Sequence, residues 1–541
     1  MQYDNGGELL VAHLESLGID TVFGIVSVHN LPLVEAVDRH LRFVPVRHEA
    51  TAVNAADGYG RARGSIGCAL TSTGTGAGNA AGSLIEALSA GTAVLHVTGQ
   101  VESEYLGSGR GFIHETKDQL GMLGAVSTYA ATVTSARDAG RVLREASAAA
   151  LATPGGPASV EWPIDLQYAA QVDAGEAVPS GGAPSPDPAE LAAAQALLAK
   201  SRRPLIWAGG GARHARQELA ALLEATGAGL LTSNSGRGSV PEDHPLVIGN
   251  FGTNPAVRAL LADADVLVSI GTHFRSNETA DYNLKLPEAH IQIDADAAAL
   301  GRVYPARHAL HAEATAVLPS LTGAAARADA DWSARVTAVR DEVRAALHDD
   351  IGPQAALCDA LAAALPRGAV VARDVTIPSS SWGNRLLPMH DPRANVFPRG
   401  GGIGQGLGMG IGAALARPDE PTAVIAGDGG LAVHLGELLT VAQERPRLTL
   451  IVFNDGGYGV LRNMQDKYGE RRSGVDLFTP DFGPLAAACA LPYARIAAPE
   501  EAAPVLEAAL ASDGPTLVEV DLTALGPMKN PFTPPVKIPT A

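Results

Sequence analysis

The chain has 541 residues, several times what one hydrophobic core usually supports, so length alone predicts about three domains of ordinary size. Apolar residues make up 46% and charged residues 18%, which leaves ample material for buried cores and no case for general disorder. Fifty-eight acidic against forty basic residues give −18, which argues against an extended nucleic-acid or anionic-membrane surface.

The start, Met1-Gln2-Tyr3-Asp4-Asn5, has no basic region followed by an apolar stretch, so no signal peptide is expected, and no uninterrupted apolar run reaches membrane-spanning length. Residues 7–17 read as an amphipathic helix, 21–24 as a strand ending in a turn, and 43–46 as a second strand. A helix from Ala50, a strand at 67–71, a Gly-rich turn, a helix near 79–89 and a strand at 93–98 follow. Short strands separated by helices mark a parallel α/β sheet. Residues 172–188 are poor in bulky apolar residues and rich in Pro, Gly and Ser, and read as a linker.

A second α/β unit has strands at 204–207, entering Gly209-Gly210-Gly211, at 266–270 and at 291–293. Residues 331–348 read as a solvated connecting helix. A third unit places strands at 369–372, 422–426, 448–453 and 516–520. The expected fold is therefore α/β, three consecutive doubly wound parallel-sheet domains. The boundaries fall at 1–171, a linker at 172–188, 189–330, a connecting helix at 331–351, and 352–541. Cys68, Cys358 and Cys489 lie far apart with no CxxC spacing, so neither a disulfide framework nor a zinc site is expected, and a cytoplasmic setting is.

The strand at 423–426 runs into Gly427-Asp428-Gly429-Gly430, and twenty-six positions after Asp428 a second strand delivers Asn454-Asp455-Gly456-Gly457-Tyr458-Gly459. Both loops are C-terminal strand ends, where open parallel sheets bind ligands. The glycines let backbone N–H groups approach an anion, and Asp428 and Asn454 offer hard oxygen ligands suited to Mg²⁺. Gly-Asp-Gly alone is also a common tight turn. The paired loops, however, resemble the signature of thiamine-diphosphate enzymes, a GDG triplet answered one strand later by two asparagines, with Asp455 here in place of the second.

The resemblance covers essentially the whole chain and implies roles residue by residue. Metal ligands would be Asp428, Asn454 and the Gly456 carbonyl, and Gly427, Gly429, Gly430, Tyr458 and Thr376 would contact the cofactor. Arg47-His48-Glu49 resembles the segment whose glutamate shares a proton with the pyrimidine N1′, so that the cofactor's own amino group can take the C2 proton. Taken without the motifs, Glu49 could equally pair with Arg47 or Arg61. The 71–79 turn, with Asn79, resembles the one lining the pyrimidine. Residues 401–407 resemble the segment under the cofactor, where Gly402 offers a carbonyl to the amino group and Ile403 wedges the two rings into a bend. The order of pyrimidine, middle and diphosphate units is that of acetolactate synthases and the simple 2-oxo acid decarboxylases. The family also implies a homodimer or homotetramer with active sites at the chain interface.

Around C2 the residues are mixed. Val28 and Leu461 stand where pyruvate-decarboxylase-like enzymes carry acids, and Thr71 where benzoylformate-decarboxylase-like enzymes place a histidine. Phe112-Ile113-His114-Glu115 aligns with a segment bearing a Gln in acetolactate synthases, which makes His114 the first candidate for proton traffic and His29, after the first strand, the second. Gln119 and Gln405 read as packing or surface residues. Gly249–Thr253 and Gly271–Arg275 echo flavin-contacting segments of acetolactate synthases, yet FAD is not favoured, since many relatives keep that fold without a nucleotide, and Asp294 and Asp296 could equally cap a turn. The expected function is cleavage or formation of the bond beside a 2-oxo group, dependent on thiamine diphosphate and Mg²⁺, with a small 2-oxo acid as substrate and no nucleic-acid or membrane partner. The alternatives are a true acetolactate synthase catalytic subunit condensing two pyruvates and, from another class, a non-catalytic Rossmann-type nucleotide binder.

Overall fold

The computed structural model describes residues 1–173, 183–469 and 471–534, so most of the expected linker lies outside the described residues. It contains three six-stranded parallel sheets. The first is built from β1 (Thr21–Gly24), β2 (Arg42–Pro45), β3 (Gly67–Thr71), β4 (Val94–Gln100), β5 (Tyr129–Thr132) and β6 (Pro157–Pro163), in the order β2-β1-β3-β4-β6-β5. The middle sheet comprises β7 (Pro204–Ala208), β8 (Gly229–Thr232), β9 (Val247–Gly249), β10 (Val266–Ile270), β11 (His290–Asp294) and β12 (His308–His311), ordered β9-β8-β7-β10-β11-β12. The third holds β13 (Val370–Arg373), β14 (Asn395–Val396), β15 (Thr422–Gly427), β16 (Leu448–Asn454), β17 (Tyr493–Ile496) and β18 (Thr516–Asp521), ordered β14-β13-β15-β16-β18-β17.

The first and third sheets thus share one winding, and the middle sheet has the 3-2-1-4-5-6 order of dinucleotide-binding folds. The chain reverses its direction of travel between β1 and β3, between β7 and β10, and between β13 and β15, and in the first and third sheets it turns back once more at the far edge, inserting β6 between β4 and β5 and β18 between β16 and β17. Ligand crevices open at the central reversals, beyond the strands' carboxyl ends. The central strands β4 and β6 are buried along their whole length, as expected where helices cover both faces.

The connecting helix α3 (Ala330–Asp350) departs from expectation, because it is not solvated all round. Trp332, Val336 and Val343 are buried, and the Trp332 indole N–H donates to the Pro204 carbonyl at 3.0 Å. The apolar positions are too sparse among the charges to stand out in the sequence, yet they share one face.

Two helices join the first domain to the third. α1 (Glu49–Arg63) and α4 (Gly406–Ala416) meet backbone to backbone: a Cβ on Gly58 would lie 2.0 Å from the Met409 carbonyl oxygen, and one on Gly412 only 1.8 Å from that of Ala55. The segment before α1 is clamped to the same domain. The Arg47 N–H donates to Glu437 at 3.0 Å, its guanidinium donates to Gln443 at 2.8 Å, and the His48 and His434 rings lie 5.1 Å apart.

Candidate active site

The strand ends of the third sheet assemble a turn of glycines and carboxylates. Asp428 follows the last residue of β15 and is buried, and the Gly457 N–H donates to its Oδ2 at 2.8 Å. Burial holds its carboxyl above the ordinary range. At the end of β16 the Asn454 side-chain amide donates to Glu519 at 2.7 Å, which fixes the orientation of its oxygen. Next to it, burial and the neighbouring Asp428 push Asp455 up to about 6. The Asp455 Oδ1 is buried without a hydrogen bond, and Arg462 stands 3.7 Å away.

A buried and a half-buried carboxylate, an oriented amide oxygen and an orphaned carboxylate oxygen form a donor set that suits a hard divalent cation. The Gly456 carbonyl, the third ligand implied by the resemblance, accepts from the Leu477 N–H at 2.9 Å and from Arg462 at 3.2 Å. The turn glycines are cradles. A Cβ on Gly427 would lie 3.0 Å from Thr376 Oγ1, one on Gly429 would meet the Tyr458 ring at 2.8 Å, and one on Gly430 would sit 3.3 Å from Asp374 Oδ2. The structure therefore brings Thr376, Tyr458 and the three glycines together.

Above this turn runs the 401–406 loop, with Gly401 and Gly404 in the left-handed region at φ 90° and 81°. Gly402 is half-buried, and Ile403 is 38% exposed. Gln405, expected as a packing or surface residue, is buried beneath Gly402, whose Cβ would lie 2.3 Å from Gln405 Nε2. Asp374, which sequence reasoning missed, accepts from the Gly404 and Gly406 N–H groups. Its only signal in the sequence is its place just past a strand end.

In the first domain Glu49 opens α1, capped by the His48 ring, which accepts from the Ala50 N–H at 3.1 Å. Neither alternative salt bridge forms: Arg61 pairs with Asp57 at 2.7 Å, and Arg47 reaches into the third domain. Glu49 accepts instead from the Asn79 side-chain amide at 3.0 Å, and a Gly76 Cβ would lie 3.2 Å from its Oε1.

Nearby, the His29 and His114 rings meet edge to face with centroids 5.2 Å apart. His29 is buried with both ring nitrogens unpartnered, and burial together with His114 lowers its pKa. Its carbonyl accepts from Gln167 at 2.8 Å. His114 is exposed and has φ 67°, a left-handed conformation, and its carbonyl would lie 2.5 Å from a Cβ on Gly74. The carboxylate of Glu115, also missed in the sequence, shapes this turn by accepting from the N–H groups of Gly109, Gly111 and Phe112 at 3.1, 3.1 and 3.2 Å. Gln119 is buried in a supporting role, accepting from the Gly74 N–H at 2.7 Å, and Thr71 is bonded to His96 at 2.8 Å.

Among the described residues no hydrogen bond joins the two half-sites: Glu49 accepts from Asn79 of the first domain, and Asp428 from Gly457 of the third. Exposed apolar side chains flank each: Val26, Val28 and Ile113 on one side, Ile403, Val433 and Leu461 on the other. The middle sheet opens separately on a cavity of about 790 Å³ lined by Gly210, Arg213, Thr272, Asp294 and Arg399. There Asp296 does cap a turn, accepting from the Ala298 N–H at 2.9 Å.

Three family models match the chain in order. They are the N-terminal TPP binding domain of thiamine pyrophosphate enzymes at residues 4–122, the central domain at 191–321 and the C-terminal TPP binding domain at 378–520. The chain is 33% identical to a protein of Pseudomonas aeruginosa named "probable 2-ketoarginine decarboxylase", over 95% of this chain and 93% of that one. It is 29% identical to the acetolactate synthase isozyme 2 large subunit of Escherichia coli, over 96% of both. It is 28% identical to a "probable acetolactate synthase large subunit" of Methanocaldococcus jannaschii, over 95% of this chain and 91% of that one.

Proposed function

The chain belongs to the thiamine pyrophosphate enzyme family, and from that premise we propose that it decarboxylates a 2-oxo acid with Mg²⁺ as the second cofactor and a histidine pair as the proton source. The dependence on thiamine diphosphate and the 2-oxo acid decarboxylase or acetolactate-synthase-like class follow from the family itself. Bound thiamine diphosphate supplies a nucleophilic carbon for the 2-oxo group and an electron sink for the pair left behind by CO₂. Asp428 and Asn454 would hold Mg²⁺ beside the diphosphate, with Gly427, Gly429, Gly430, Thr376 and Tyr458 around it. Glu49, oriented by Asn79, would hold a proton toward the pyrimidine ring, while Gly402 and Ile403 would support the cofactor's rings from the loop beneath.

The observation that carries the choice of decarboxylation is the contact between His29 and His114. A buried, unpartnered imidazole set edge to face against an exposed one can take up a proton and relay it to the substrate carbon that has lost CO₂. A second reading, carboligation to a second 2-oxo acid as in acetolactate synthases, is favoured by the apolar rim of Val26, Val28, Ile113, Ile403 and Leu461. Such a rim slows protonation and leaves time for another carbonyl to add. FAD stays outside the proposed cofactor set.

The separate half-sites and their apolar rims support a homodimer or a homotetramer in which Glu49 of one chain acts beside Asp428 of another. Among the described residues no helix is long and apolar enough to cross a membrane, and the three cysteines are free, which supports a cytoplasmic setting.

The test is a panel of 2-oxo acids, from pyruvate to those with long cationic side chains, followed by CO₂ release and product analysis with and without an added acceptor. We expect aldehyde as the main product without an acceptor and measurable ligation with one. His114→Ala should slow protonation roughly 10- to 10³-fold, with cofactor affinity nearly unchanged, and shift the products toward ligation. Wild-type product ratios and rates in that variant would remove His114 from the reaction.

A further inference from the structure

Asp374 stands one residue past the end of β13, at a point where the third sheet reverses its direction of travel. Its own N–H continues the sheet, donating to the Ile425 carbonyl at 2.7 Å, so the residue is tied to β15 just ahead of the Gly427–Gly430 turn. The side chain is 3% exposed and has no cationic hydrogen-bond partner. It accepts from the Val375 N–H at 2.6 Å, from the Gly404 N–H at 3.1 and 3.0 Å to its two oxygens, and from the Gly406 N–H at 3.4 Å. An anion buried without a countercharge is costly, and burial pushes this carboxyl up to about 6. The fold nonetheless keeps it there, held by main-chain amides alone.

A loop of Gly400, Gly401, Gly402 and Gly404 has little side-chain material with which to hold itself. Gly401 and Gly404 add left-handed backbone, so some outside group must fix its height. Asp374 is that group on one side, and on the other its Oδ2 lies 3.3 Å from where a Gly430 Cβ would be. A single carboxylate therefore touches both the loop that carries Ile403 and the turn that follows Asp428.

We propose that Asp374 is a positioning residue that sets the 401–406 loop against the 427–430 turn, and so fixes the distance between the surfaces that hold the two ends of the cofactor. The proposal rests on the reading of residues 401–406 as the loop beneath the thiazolium ring. Two predictable consequences separate it from a general role in folding: the loop amides should lose protection even without cofactor, and turnover should fall without a change in KM for the 2-oxo acid.

The experiment uses Asp374→Asn, which keeps the volume but turns an N–H₂ toward the N–H donors, with Asp374→Glu as the second variant should the first not fold. In the cofactor-free proteins, amide exchange at Gly404 and Gly406 is followed by mass spectrometry. Thiamine diphosphate affinity at saturating Mg²⁺ is measured by calorimetry, and kcat and KM at saturating cofactor. Exchange at both amides is expected to speed up roughly 10-fold or more, with cofactor affinity weakened by a similar factor. kcat should fall while KM for the substrate holds. Unchanged exchange at Gly404 and Gly406 would overturn the role of Asp374 and leave the cofactor reading intact. Faster exchange with wild-type affinity and kcat would overturn the assignment of the loop to the cofactor, and the proposal with it.

Discussion

Glu49 is a carboxylate at the first position of a helix and accepts from the Asn79 amide rather than pairing with a cation. An amide donor orients a carboxyl group without fixing its charge, which is what sharing a proton with a ring nitrogen requires. Glu49→Gln should therefore bind thiamine diphosphate nearly as well as the wild type, because the diphosphate and Mg²⁺ contacts are untouched. It should exchange the cofactor's C2 proton on the order of 10²-fold more slowly, as read by deuterium exchange after acid quench. A wild-type exchange rate would show that Glu49 has another role. Glu49, Asp428 and Asn454 stand out in the sequence as candidates because strand-end chemistry leaves a local pattern. His29 and His114 were legible as single residues but not as a pair. Their contact depends on a left-handed His114 and on three amides converging on Glu115, and no local spacing encodes that convergence. Asp374 belongs to no motif, since its partners are glycine amides thirty and thirty-two positions away.

Among the elements, the buried central strands were readable from apolar runs between turns: β1, β3 and β10 fall at the residues expected. Three of the strands that escaped notice fail to announce themselves for physical reasons. β14 is two residues long, β5 is alanine-rich with every residue only half-buried, and β6 begins and ends with proline. The joint between domains was equally hidden. No sequence pattern separates a glycine-rich helix packed on a sheet from one packed on another helix, and Gly412 lies against the backbone of α1. A methyl group there would sit 1.8 Å from the Ala55 carbonyl oxygen, and backbone cannot rotate away as a side chain can. Gly412→Ala is accordingly expected to cost about 1–3 kcal/mol, measured by denaturant unfolding, as overpacking usually does. It should also weaken the seating of α1, whose first residue is Glu49. Wild-type stability in this variant would mean that α1 and α4 stand further apart than described.

At the scale of the molecule, the first and third domains share one strand order, and each carries half of the proposed site. Within a chain no hydrogen bond among the described residues joins those halves. The residues just before Glu49 are clamped to the third domain by Glu437 and Gln443, and α1 lies against α4, so neither half can swing round to meet the other without breaking a buried joint. Helix α5 (Gly459–Tyr468), which follows the Asn454 loop, has no buried residue, and Leu461 and Tyr468 are exposed on it. A second copy would cover these side chains and complete both sites at once. Two inactive variants then test the arrangement together. Asp428→Ala removes the metal anchor and should abolish Mg²⁺-dependent cofactor binding at any site that uses it, and Glu49→Gln disables activation. When the two are mixed equally and their subunits exchange, half of the dimers are hybrids. In each hybrid one site carries both substitutions and the other carries neither. About a quarter of wild-type activity should return on random exchange, and with it cofactor binding at the intact sites. Activity that stays at the level of the separate variants, after mass spectrometry of the intact assemblies has shown hybrids to be present, would place each active site inside a single chain.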